Sequence, residues 1–131
     1  MPSDKPLAKK LLIKPGDTIA PINAPKNYKQ LLGELPDGAE VVARAPGSGA
    51  SLVHLFITTS AELQTQLPRA RQAMAKGGGI WLSWQKKTAH KNTDVSRDTI
   101  RVAAEELGLD TVRAVSINDE WSALKMVLRQ P

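Results

Sequence analysis

A chain of 131 residues with 41% hydrophobic and 24% charged side chains is sized for one core, and its composition excludes global disorder. The absence of cysteine excludes a disulfide scaffold, a thiolate metal site and a cysteine nucleophile. The net charge of +5 is polarised: residues 69–101 carry eight basic side chains against two acidic, and residues 105–121 carry five acidic against one basic.

The lead through Lys14 is basic and holds only Leu11-Leu12-Ile13 as an apolar stretch, too little for a signal peptide. No apolar run nears the ~20 residues that cross a bilayer. The expectation is a cytoplasmic protein with no membrane partner. It has a basic, partly mobile lead over 1–14 and one α/β domain over 15–131. Pro15-Gly16-Asp17 is a turn. Thr18–Asn23 reads as a first strand, and Pro25 opens a helix whose apolar stripe is Tyr28, Leu31 and Leu32, stopped at Gly33. Glu40–Ala45 reads as a second strand, broken by Pro46-Gly47-Ser48-Gly49. Leu52–Thr58 is a third, apolar and β-branched almost throughout, as strands covered on both faces are.

Thr59-Ser60-Ala61-Glu62 has the form of a capping box, and Leu63, Leu67, Ala70 and Met74 follow at helical spacing. Pro68 predicts a kink or a split in that helix, and Gly77-Gly78-Gly79 its end. Ile80–Trp84 is a fourth strand and 85–93 a polar loop. A helix over about 94–107 turns Val95, Ile100, Ala103 and Leu107 inward, with Gly108 closing it. Thr111–Ile117 and Ala123–Leu128 are the last two strands. The second of these alternates apolar and polar residues, which predicts an edge with one solvated face.

The order β-α-β-β-α-β-α-β-β predicts a three-layer, Rossmann-like α/β sandwich. Its mainly parallel sheet of about six strands ends in a C-terminal antiparallel hairpin. One conflict accompanies this topology: if the first strand is central, Pro21 removes a ladder hydrogen bond inside the sheet.

Lys14-Pro15-Gly16-Asp17 before a short strand, and Met74-Ala75-Lys76-Gly77-Gly78-Gly79 leading into Ile80-Trp81-Leu82, resemble parts of class I methyltransferase domains. With the closing hairpin, spans 14–24, 52–84 and 107–129 look like a pared-down relative. Over nearly its whole length the chain is similar to an uncharacterised bacterial family known only as a domain of unknown function. The similar segments are Asn23-Ala24-Pro25, Leu32-Gly33, Phe56-Ile57-Thr58, Trp81-Leu82-Ser83-Trp84-Gln85-Lys86-Lys87, Thr93-Asp94 and Trp121-Ser122-Ala123-Leu124. That family usually has proline where Gln85 stands. The resemblance implies a fold and supplies no activity.

Binding of a methyl-donor nucleoside in such a fold needs a glycine-rich turn after the first strand and an acid after the second. Asn23-Ala24-Pro25 has no glycine and Ala43-Arg44-Ala45 no acid, so no cofactor is expected and S-adenosylmethionine is not anticipated. Ligands of open α/β sheets sit beyond the carboxyl ends of the strands. There the sequence places Asn23, Arg44, Thr58, Thr59, Trp84, Lys86 and Lys87 as candidate ligand-binding residues, a set suited to an anion.

Trp84 followed by the basic loop also has the form of a single-strand nucleic-acid site, although its alternation with Leu82 favours core packing. His54, between Val53 and Leu55, reads as a satisfied buried histidine, and His90 as a solvated one. No nucleophile elbow, phosphate-binding loop or zinc-protease motif occurs. No catalytic residue and no metal ligand is assigned. The leading reading is a non-enzymatic binding or regulatory module that takes an anionic small molecule or protein at the carboxyl edge. The alternatives are an enzyme derived from the methyltransferase fold with an altered ligand, and a nucleic-acid accessory protein using residues 85–101. Oligomeric state is left open.

Overall fold

A computed structural model of the chain describes residues 7–86 and 94–129. The elements are α1 (Leu7–Lys10), β1 (Thr18–Ile22), α2 (Tyr28–Leu32), β2 (Glu40–Val41), β3 (Ala50–Ile57), α3 (Ser60–Ala73), β4 (Met74–Gln85), α4 (Arg97–Glu106), β5 (Leu109–Ser116) and β6 (Trp121–Leu128). The strands form one six-stranded mixed sheet in the order β2-β1-β3-β4-β6-β5. β2, β1, β3 and β4 run parallel, and β6 is antiparallel to both β4 and β5.

Both sheet faces are covered, which is why β3 reads as an almost continuous apolar run. Val53, Leu55 and Ile57 pack with Leu63 and Leu67 of α3, Ile100 of α4 and Leu82 of β4. Leu52 and Phe56 face the other way, into a core with Tyr28 and Leu32 of α2, Trp81 of β4 and Trp121 of β6. Of the N-terminal lead, Leu7, Ala8, Leu11 and Ile13 are built into this second core, and the Trp81 Nε1–H donates to the Leu11 carbonyl at 3.0 Å. No helix among the described residues is long and apolar enough to cross a membrane.

Several local expectations need correction. α3 runs through Pro68 as one element. The proline removes one donor, but Leu63, Leu67 and Ala70 bury the helix on both sides of it and hold it in place. Gly77-Gly78-Gly79 lies inside β4 and does not end the helix. The strand starts at Met74 because Met74 already pairs with Ala50 of β3. β2 stops at Val41: the Val42 N–H makes one more bond to β1, and beyond it the chain leaves the sheet, with Val42 and Ala45 packed against the core under α3. β6 is interior and β5 is the edge. Trp121 packs edge-on against Phe56 of β3, at 5.1 Å between ring centroids.

The Pro21 conflict is resolved by the short β2. The Glu40 and Val42 N–H groups donate to the carbonyls of Asp17 and Ile19, so Pro21 is the next β1 residue on that side. It lies beyond the last paired residue of β2, where no ladder donor is needed.

Candidate functional site

At the carboxyl edge the chain leaves β1 through Asn23, a non-glycine residue at φ 63. Asparagine tolerates this left-handed conformation better than most residues. β3 ends beside it and passes through Thr58 into the α3 N-cap at Thr59. The capping box expected from the sequence is formed: Thr59 Oγ1 accepts from the Glu62 N–H at 3.1 Å, and the Thr59 N–H donates to Glu62 Oε1 at 3.2 Å.

The same carboxylate does more than cap. Glu62 Oε1 also accepts from the Thr58 N–H and Thr58 Oγ1, each at 2.6 Å, and Glu62 Oε2 accepts from Asn23 Nδ2 at 2.8 Å. Partial burial works to raise the Glu62 pKa, but hydrogen bonds from Thr58, Asn23 and Thr59 together hold it below the ordinary glutamate value. Next to it, Asp94 accepts from Ser60 Oγ at 2.7 Å and from the Ser60 N–H at 2.9 Å, which keeps its carboxyl below the usual aspartate value.

Of the seven candidate residues, Asn23, Thr58 and Thr59 are therefore brought together, but around the chain's own carboxylate. Trp84 is buried in the core under α3 and α4. Lys86 reaches sideways, donating through Nζ to Ser116 Oγ at 2.7 Å, while its N–H donates to the Glu120 carbonyl at 2.7 Å. Arg44 is exposed on the 42–49 connection, and no contact among the described residues joins it to the Glu62 cluster. Lys87 and His90 lie outside the described residues.

Glu62→Ala leaves the Thr58 and Thr59 amides and the Asn23 amide without their acceptor. We expect it to lower stability by about 1–2 kcal/mol, the cost of losing a good cap, as a downward shift of the urea midpoint. A variant as stable as the parent would mean that water replaces the carboxylate at no cost.

A second feature of this edge was not identified from sequence. Because β2 is two residues long, a cleft of about 560 Å³ opens beside the end of β1. Pro21, Ala24 and Val41 make its apolar floor, Tyr28 a wall, and Lys26 and Lys29 line it. No carboxylate lines it. Glu40 instead faces an adjoining hollow of about 470 Å³ with Leu32 and Leu35. Pro21 inside a strand was the sequence's signal for this opening, since it marks a strand side that needs no neighbour.

Behind the wall, Tyr28 Oη lies 2.8 Å from His54 Nδ1, and His54 Nε2 lies 2.7 Å from Ser83 Oγ. One ring nitrogen donates and the other accepts, so both hydroxyls are satisfied by a neutral imidazole. His54 and Ser83 have no exposed surface, and the histidine ring stacks on Phe56 at 4.3 Å. Burial pushes the His54 pKa down to about 3 and raises that of the Tyr28 hydroxyl. The reading of His54 as a satisfied core histidine holds. Among the described residues, no three His, Asp or Glu side chains converge as metal ligands would.

Residues 50–130 match the family model described as protein of unknown function, DUF3052. No curated protein matches the chain. Among solved structures it is similar to a ribosomal protein L11 methylase from Lactobacillus delbrueckii subsp. bulgaricus, with 13% identity and a TM-score of 0.56 over 95% of this chain and 76% of that one. It is similar to DhpI in complex with SAH, with 12% identity and a TM-score of 0.60 over 95% and 84% of the two chains. A SAM-dependent methyltransferase from Aquifex aeolicus matches at 9% identity and a TM-score of 0.55, over 91% and 88%. Identity this low carries the fold alone, and the fold is a methyltransferase-like α/β sheet.

Proposed function

The chain belongs to the DUF3052 family, and we propose that it is a non-enzymatic binding or regulatory module that takes an anionic organic ligand in the cleft between β1, β2 and α2. The observation that carries this reading is the division of charge along the carboxyl edge. Over α3 the hydrogen-bond donors are already occupied by Glu62 and Asp94, and an incoming anion would meet two like charges. In the cleft, Lys26 and Lys29 stand over an apolar floor with no carboxylate in the lining. Its volume lies within the range of small-molecule sites, and its mixture of apolar surface and a few polar groups is typical of them.

Two features weigh against a methyl-donor nucleoside in this position. The turn after β1 has a side chain, Asn23, where close approach of a ligand to backbone favours glycine, and that side chain is tied to Glu62. No acid stands in the stretch Val41–Ala45 after β2 to hold ribose hydroxyls.

The test is a thermal-shift and fluorescence titration with 8-anilinonaphthalene-1-sulfonate, an anion with an apolar body. At ten times its dissociation constant a ligand adds about 1.4 kcal/mol, which raises the melting temperature by roughly 3–6 °C for a chain of this size. We expect that rise in the parent and its loss in Lys26→Glu with Lys29→Glu. Equal responses in both would remove the cleft from consideration. A melting shift with S-adenosylmethionine would favour the enzyme reading.

A further inference from the structure

The opposite end of the sheet carries a second concentration of positive charge. Arg97 and Arg101, one turn apart on α4, and Arg113 on β5 line a cleft of about 270 Å³ whose floor includes Thr111, Ala114 and Leu124. One acid lines it: Asp98, bound to Arg101 at 3.3 Å with both side chains exposed. Arg97 and Arg113 have no carboxylate partner among the described residues.

The sheet register extends this cluster across the open edge of the sheet. Thr111 pairs with Met126, so regular pairing would put Val112 opposite Lys125 and would aim Arg113 with Leu124 at the core. A bulge between Thr111 and Arg113 inserts one residue and places Arg113 opposite Lys125. Like charges directly across a ladder destabilise the pair. Lys125 in turn lines a hollow of about 160 Å³ that it shares with Lys14 and one acid, Asp17. The cations thus pass from α4 over β5, the sheet's open edge, to β6 and the chain before β1.

We propose that this basic surface binds the phosphate backbone of a nucleic-acid strand without reading its bases. Guanidinium forks match phosphate oxygens bidentately, and cations spread across a sheet edge suit a repeating anion better than one small ligand. All five aromatic rings of the chain, Tyr28, Phe56, Trp81, Trp84 and Trp121, are buried, so no ring is offered for base stacking. An acidic peptide added as a strand to β5 is disfavoured, because the bulge breaks the regular edge such pairing needs.

The test is fluorescence anisotropy of a labelled oligothymidine of about 20 nucleotides, titrated at salt concentrations from about 50 to about 200 mM. Binding in the micromolar range at the lower salt is expected, weakening steeply as salt rises. Arg97→Ala with Arg113→Ala removes about two phosphate contacts. It should cut affinity roughly ten-fold and flatten the log–log salt slope by about 1.4. Lys26→Ala with Lys29→Ala, at the far end of the sheet, should change affinity less than about two-fold, which separates this surface from the ligand cleft. Circular dichroism melting of both variants confirms that they fold. Three results would overturn the proposal: no binding up to ~100 μM protein at low salt, equal weakening by the two double variants, or displacement by polyaspartate as effective as by unlabelled oligothymidine.

Discussion

Acidification from pH 7 to pH 3 is expected to remove about 4 kcal/mol of folding stability through His54 alone. The group is neutral in the fold with a pKa near 3, whereas in the unfolded chain it titrates near 6.5. The unfolded state therefore binds the proton first. The histidine's contribution is fully present above pH 6.5 and is lost progressively as pH falls toward 3. Each pH unit in that window is worth about 1.4 kcal/mol, so about 2 kcal/mol has gone by pH 5. A loss of about 4 kcal/mol is close to the whole stability of a marginal small domain.

Glu62 and Asp94 act in the same direction. Their lowered values mean that protonation also favours unfolding, but only below the ordinary carboxylate range. The window from about 6.5 to 4.5 therefore isolates the histidine. Urea midpoints measured across it should slope steeply in the parent and much less in His54→Gln. The glutamine amide can still meet the Tyr28 and Ser83 hydroxyls, one group as donor and one as acceptor, while carrying no titratable nitrogen. The variant loses about 1–3 kcal/mol at neutral pH from imperfect packing, and this offset leaves the slope readable. Parallel slopes in parent and variant would show that protons enter the core without unfolding it.

The same histidine shows what could be read from the sequence. An isolated polar residue in an apolar run needs partners wherever it is buried, so its satisfied state follows from burial alone. The partners themselves, 26 and 29 residues away on α2 and β4, are consequences of strand order. Local chemistry fared well for the same reason. The Thr59–Glu62 box, the inward face of α4 and the covered faces of β3 depend on residues adjacent in the chain, and all are present. The family and fold resemblance likewise rested on local segments, and both are borne out by the matches.

What was misread depends on distant neighbours. β6 alternates apolar and polar residues and so reads as an edge, yet it lies between β4 and β5. Space for its cation comes from Gly79 on β4, where a Cβ would stand 3.2 Å from the Lys125 stem. The long side chain lies over a glycine in the interior of the sheet and carries its charge outward. The donors at the carboxyl edge were read without their acceptor for a similar reason. Thr58 and Asn23 are donors by composition, but the acceptor that occupies Asn23 stands 39 residues further along the chain. The cleft left by the two-residue β2 has cations and no carboxylate in its lining.

Gly49→Ala is expected to destabilise the fold by about 2–5 kcal/mol, and the neighbouring Gly47→Ala by less than about 0.5. The sequence presents the two as equivalent members of one turn, Pro46-Gly47-Ser48-Gly49. Gly49 has φ +92, a conformation that costs a side-chain-bearing residue about 1–2 kcal/mol. A Cβ there would also stand 2.5 Å from both the Cα and the N of Ala75 and 2.8 Å from the carbonyl carbon of Met74. These are backbone atoms where α3 passes into β4, and they cannot rotate aside. Met74 is fixed by its pairing with Ala50, the residue that follows Gly49, so relief requires parting β3 from β4 at their start. Overpacking of this kind adds about 1–3 kcal/mol to the conformational cost. Gly47 has neither a positive φ nor any atom within 4 Å of a built Cβ. Gly16 separates the two contributions: its φ is +81 but its surroundings are open, so Gly16→Ala should cost only the conformational part, about 1–2 kcal/mol. Urea denaturation of the three variants should rank them Gly49, Gly16, Gly47 in order of loss. If Gly49→Ala fell within about 1 kcal/mol of Gly16→Ala, the close approach of the 46–49 turn to β4 would not be a constraint on the fold.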